Sequence, residues 1–201
     1  SDVSLFKVGD RVTHASMPIG AYAEKQIMPE DKLVPVPDGI SNEVASCITL
    51  KGITAEYLLH RAYHLKKGDK VLYHAAAGGL GQILCPWANA IGAEIIGTVG
   101  SKEKEKIAKK NGCHHVINYT DKNFVEEVEK IVGKNGIDVV YDGVGAKTFE
   151  GSIEVLKIRG MMVAFGNASG YVDTINVKKH INAKGLFFTR PSIAHYTVKR
   201  E

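Results

Sequence analysis

Between Lys70 and Thr189 short apolar runs alternate with amphipathic stretches, and this alternation leaves few folds open. Residues 71–75, 94–99, 115–118, 137–141, 161–165 and 186–189 read as strands. Between them, residues 80–91, 102–111, 124–132 and 148–156 read as helices. Residues 124–132 show the helical signature well, with apolar side chains at 124, 125, 128, 131 and 132. Strands joined mostly by helices pair in parallel and are covered on both faces. The expectation is therefore an α/β fold, a doubly wound parallel six-stranded sheet of Rossmann type.

The first forty residues follow another pattern. Residues 12–14 and 21–23 resemble short strands, and residues 32–39 form an extended, turn-rich passage. Such strands are too few to enclose a core alone. Ser41 is a candidate N-cap for a helix carrying Val44, Ala45 and Ile48, and a second helix is expected over residues 54–63, entered through Gly52.

The first strand of the alternating region runs into Ala75-Ala-Ala-Gly-Gly-Leu-Gly81. Its Ala76-x-Gly78-x-x-Gly81 spacing matches the dinucleotide fingerprint, with Ala in place of the first Gly. A turn here aims backbone N–H groups along the start of a helix, where a pyrophosphate is favoured. Gly78 permits close approach of that group, and Gly81 lets helix and strand pack tightly. The context of strand, turn and helix supports the motif. About 20 residues on, a reader of the ribose 2′-OH carries Asp or Glu. This chain has Val99-Gly100-Ser101 there, followed by Lys102, Lys104 and Lys106. A carboxylate would repel a 2′-phosphate, whereas hydroxyl and ammonium groups would hold it. The pattern favours NADPH, with Ser101 and Lys104 as the specific candidates.

Other chemistries lack support. The proportions of 44% hydrophobic and 24% charged residues exclude a disordered or collagen-like chain. Net charge is +4, and the densest basic cluster, residues 102–110, is broken by Glu103 and Glu105, so nucleic-acid binding is not expected. Three cysteines, Cys47, Cys85 and Cys113, form no CxxC pair, which argues against a disulfide framework or zinc knuckle and for a reduced, cytoplasmic setting. No apolar run approaches the length of a membrane span, and no signal peptide is visible. His60 and His64 stand four apart but without the glutamate of an HExxH motif, and there is no Gly-x-Ser-x-Gly elbow. Asp142, after the fourth strand, reads equally as support for a cofactor or as the cap of a turn.

Residues 68–81, GDKVLYHAAAGGLG, resemble the signature of the NADPH quinone oxidoreductase and zeta-crystallin family, zinc-independent medium-chain dehydrogenase/reductases. Supporting matches are VGDRV at 8–12, GAYAE at 20–24, LKGIT at 50–54, GTVG at 97–100, VINY at 116–119, YDGVG at 141–145, FGN at 165–167 and TRP at 189–191. The resemblance implies hydride transfer from NADPH to a quinone or another electron-poor small molecule. It implies a cofactor site in which Gly78, Gly79, Leu80 and Gly81 take the pyrophosphate. Gly100, Ser101, Lys104 and Tyr119 take the 2′-phosphate and adenosine. Thr54 and Tyr57 face the nicotinamide, and Phe165, Asn167, Phe188, Thr189 and Arg190 line the cleft. It further implies a homodimer joined near the sixth strand, and no metal. An enoyl-thioester or enone reductase on the same scaffold, or a crystallin-like or RNA-binding module without catalysis, remain alternatives.

Against the family pattern, residues 1–47 correspond to the end of a GroES-like catalytic domain and residues 48–201 to the NADPH-binding domain, so that a fragment lacking both ends is expected. Pro86 stands where the signature has Gln and should bend its helix. Gly143 replaces a more usual Ser. Cys47 lies near a zinc-ligand column of related enzymes, but a single thiolate makes no site.

Overall fold

A computed structural model describes residues 3–15 and 18–199. Contacts divide the chain into two compact units. One runs up to Thr54 and resumes at Ser192, and the other spans Ala55–Pro191.

In the first unit β1 (Val12–Thr13) pairs antiparallel with β2 (Val34–Pro35). Residues 21–23 are not a strand, because they find no hydrogen-bonded neighbour among the described residues, and Tyr22 is fully exposed. Ser41 Oγ accepts the Val44 N–H at 3.2 Å and starts α1 (Asn42–Glu56). The two helices expected here are one. Gly52 keeps helical geometry, no other side chain crowds it, and α1 passes through it before finishing in a π-helical turn over Tyr57–Ala62. A short helix, α6 (Ile193–Tyr196), closes this unit with a reciprocal cap between Ser192 and His195.

The second unit is the expected parallel sheet. Its strands are β3 (Lys70–His74), β4 (Glu94–Val99), β5 (His115–Asn118), β6 (Ile137–Asp142), β7 (Leu156–Ala164) and β8 (Phe187–Thr189). They lie in the order β5-β4-β3-β6-β7-β8, and every neighbouring pair is parallel. The helices are α2 (Gly81–Ile91), α3 (Lys102–Lys110), α4 (Phe124–Val132) and α5 (Phe149–Val155). Leu72, Ile96, Ile117, Val140 and Met162 from five strands meet Val128, Phe149 and Ile153 in one buried core.

Local chemistry sets the boundaries. Ser101 Oγ and Asn123 Oδ1 accept N–H groups in the first turns of α3 and α4, and Gly92, at φ +95°, ends α2. Pro86 does not interrupt α2. The N–H it lacks would have met the Gln82 carbonyl. Both residues lie on the exposed side of the helix, where water can serve that oxygen. β7 starts five residues earlier than expected, through an irregular register opposite Ile137 and Val139 that Arg159 accommodates at φ +60°.

Candidate functional site

Because all six strands of the second unit run the same way, their C-terminal ends lie along one edge of the sheet. The chain reverses direction across the sheet between β3 and β6, the place where open α/β sheets leave a crevice for ligands. The glycine loop follows β3, Gly100 and Ser101 follow β4, Tyr119 follows β5, Phe165 follows β7, and Arg190 follows β8. Parallel topology therefore brings most of the expected site residues to one rim.

The loop is built as its composition requires. Ala75 turns the chain with φ +62°, a left-handed conformation unusual for a residue with a Cβ. Gly78 donates to the Ala75 carbonyl at 2.8 Å, and Gln82 to the Gly78 carbonyl at 3.0 Å. Gly81 packs directly on Ala76, and a Cβ there would fall 2.3 Å from the Ala76 oxygen. The N–H groups of Gly79, Leu80 and Gly81 find no protein acceptor among the described residues, and Gly78 and Gly79 are exposed. Three neighbouring unbonded donors at the start of α2 are an arrangement able to receive an anion without any cationic side chain.

A second corner lies beyond β4 and β5. The Tyr119 hydroxyl stands over Gly100, where a Cβ would approach it to 3.0 Å. Ser101 Oγ caps α3 by accepting the Lys104 N–H at 3.4 Å, and its hydroxyl lies beside the Glu103 carboxylate. The Lys104 side chain is exposed on the first turn of the same helix.

Towards β7 the ring of Phe165 covers Gly143, where a Cβ would meet it at 2.9 Å. The serine usual at that position would need the space the ring fills. Asn167 lies against Gly145, which takes φ +91°. Phe188 meets Phe149 edge to face, Thr189 pairs with Val163, and Arg190 donates to the Pro191 carbonyl at 3.1 Å. Thr54 belongs to the first unit, where its hydroxyl donates to the Leu50 carbonyl at 2.7 Å, and Tyr57 is buried at the start of the π-helical turn.

Asp142 is the turn cap. Its carboxylate accepts the N–H groups of Val144 and Gly145 at 2.7 and 2.9 Å and the Thr148 hydroxyl at 2.7 Å. Sequence reasoning missed the group beside it. His74 and Thr98 are register partners on β3 and β4, and Ser152 reaches the same histidine from α5. Two polar side chains near the C-terminal ends of strands whose middles are apolar were the signal. Burial pushes the His74 ring towards its neutral form, and the Asp142 charge opposes this only in part.

Among the described residues no three His, Cys, Asp or Glu side chains gather to hold an ion, and Cys47 is an exposed free thiol. Cys85 and Cys113 are buried together, and their mutual bond and burial push the Cys85 thiol up.

A profile of the family described as "Zinc-binding dehydrogenase" matches residues 79–200. A 2-haloacrylate reductase from Burkholderia is 46% identical over 201 residues, covering 98% of this chain and 60% of that protein. Quinone oxidoreductase 1 of Escherichia coli is 45% identical over 202 residues, covering 62% of that protein. The crystal structure of the Escherichia coli quinone oxidoreductase complexed with NADPH superimposes with a TM-score of 0.94 at 44% identity, over 98% of this chain and 61% of that one. The chain thus spans about 60% of the length of such relatives. Matched over more than half its length, and resembling the quinone oxidoreductases throughout, the chain belongs to the zinc-binding dehydrogenase family.

Proposed function

We propose that this chain is the NADPH-binding part of a reductase that passes a hydride to a quinone. The observation that carries this reading is the set of three unbonded N–H groups at Gly79, Leu80 and Gly81, at the mouth of a parallel sheet's switch point. Reduced nicotinamide, when bound, supplies the hydride. The glycine loop, Gly78 to Gly81, holds the pyrophosphate. Gly100, Ser101, Lys104 and Tyr119 hold the adenosine end, the lysine and serine answering the 2′-phosphate. Phe165, Asn167, Phe188, Thr189 and Arg190 line the cleft and keep water from the reacting end, and Tyr57 faces the nicotinamide. Residues 1–47 are read as the end of a catalytic domain and residues 48–201 as the cofactor domain. No helix among the described residues is long and apolar enough to cross a membrane, and the reading places the enzyme in the cytoplasm.

Fluorescence titration with NADPH and NADH tests the cofactor. Tighter binding of NADPH supports the reading, and equal affinity or none removes it. A second reading, reduction of an electron-poor alkene, is favoured by the 2-haloacrylate reductase relative. Turnover by the complete protein on a quinone and on a conjugated alkene separates the two.

The reading includes a homodimer. Among the described residues β8 pairs only with β7, and Phe187 on it is 53% exposed. A second copy adding its own β8 would satisfy that edge. Sedimentation at micromolar concentration should show twice the mass of one chain, and a monomer at that concentration overturns this part.

A further inference from the structure

His74 is the last residue of β3, and the glycine loop begins immediately after it. Its Nδ1 lies 2.8 Å from Thr98 Oγ1 on β4, and its Nε2 lies 2.9 Å from Ser152 Oγ on α5. The Ser152 hydroxyl is 2.8 Å from the Thr148 carbonyl and 3.5 Å from Asp142 Oδ2, so its single proton goes to the carbonyl. The serine oxygen therefore accepts from Nε2–H, and Nδ1 accepts from Thr98. Every member is buried: His74, Thr98, Asp142, Thr148 and Ser152. The rings of His74 and Phe124 of α4 meet in a T-shaped contact. A hydrolytic triad is not the purpose. The carboxylate stands beside the serine and not at Nδ1, and the serine is wholly enclosed.

Thr98 is used twice. Its side chain holds the ring of His74, and its carbonyl accepts the N–H of Ala76 at 3.0 Å. The residue between those two anchors is Ala75, the one in the left-handed conformation. An alanine stays there only when its surroundings over-determine it. We propose that His74 is a positioning residue for the cofactor site: clamped by Thr98 and Ser152, it forces the left-handed turn at Ala75 that aims the glycine loop's free N–H groups into the crevice. The part concerning cofactor affinity rests on the NADPH reading above. The clamp itself is testable without any ligand.

Thr98→Val keeps the side chain's shape and the backbone carbonyl but removes the bond to His74. Amide hydrogen exchange should rise at least tenfold at Ala76 and Gly78, relative to Ile117 in β5. NADPH should bind at least fivefold more weakly. Adding Ala75→Gly, which takes the left-handed turn without strain, should restore both measurements to within about twofold of the parent. Exchange at the loop rising no more than at Ile117, or failure of Ala75→Gly to rescue, overturns the proposal. If Thr98→Val does not fold, Ser152→Ala, which removes the other bond to the ring, carries the same two measurements and the same rescue. If the parent protein binds no NADPH, the cofactor reading falls, while loop exchange with its rescue still decides the clamp.

Discussion

Gly81 sits so close to Ala76 that a Cβ added to it would lie 2.3 Å from the Ala76 oxygen and 2.7 Å from its carbonyl carbon. Both obstacles are backbone, so no side-chain rotation relieves them. Gly81→Ala should therefore force α2 away from β3 and cost about 1–3 kcal/mol of stability, the usual range for overpacking. NADPH binding should fall with it, because the N–H groups of Gly79 and Leu80 start from the displaced turn. Urea midpoints and a fluorescence titration check the two effects. A variant with the parent's stability would show that the helix can shift freely.

Gly52 is the opposite case. It lies inside α1 with helical geometry, and a Cβ there meets nothing within 4 Å. Gly52→Ala removes backbone freedom from the unfolded chain and adds no clash. The expected result is a gain of roughly 0.5–1 kcal/mol, read from urea midpoints. A loss would mean that the site is occupied by something the open space does not reveal.

These two glycines also mark what sequence could and could not disclose. The alternation of periods fixes six parallel strands because each apolar run is bounded by turn chemistry, and the structure has those six. Gly81 was legible because its spacing from Gly78 fits one turn. Gly52 misled because a glycine serves a turn and a helix equally, and the continuation depends on hydrogen bonds it does not advertise. Residues 21–23 misled for another reason: strand character is a property of pairs. The His74 network escaped notice because its members lie 24 and 78 residues apart, and only the register of β3 with β4 and the packing of α5 on the sheet unite them.

Selectivity between the two nicotinamide cofactors should reside at the end of β4. Ser101 and Lys104 share the first turn of α3, and no carboxylate follows Val99 directly. Lys104→Ala should weaken NADPH by roughly tenfold or more, the scale of one charge-assisted bond to phosphate, and leave NADH within about twofold. Raising salt should narrow the difference, since the lysine is exposed. Parallel titrations with both cofactors decide the point. Equal weakening of both would move the lysine's role from the phosphate to the fold.

The buried His74 should make stability depend on pH in a particular window. Burial holds its folded pKa below the ordinary value of about 6.5, so the unfolded chain takes up a proton that the folded chain refuses. Stability should thus be steady above that value as far as this residue is concerned. It should fall as the pH drops below about 6.5, by up to about 1.4 kcal/mol per pH unit, and level off once the folded ring itself protonates. Glu127, held low by Lys130 and Lys122, and Glu150, held low chiefly by Lys179, lose their contributions only as the pH falls through the carboxylate range, about 4 and below. The two windows therefore separate. Urea midpoints measured between pH 5 and 8 on the parent and on His74→Phe give the test. The variant should be weaker throughout, because Thr98 and Ser152 lose their partner, but its curve should lose the slope that belongs to one proton. An unchanged slope would assign the acid sensitivity to another group and leave His74 with the same proton in both states.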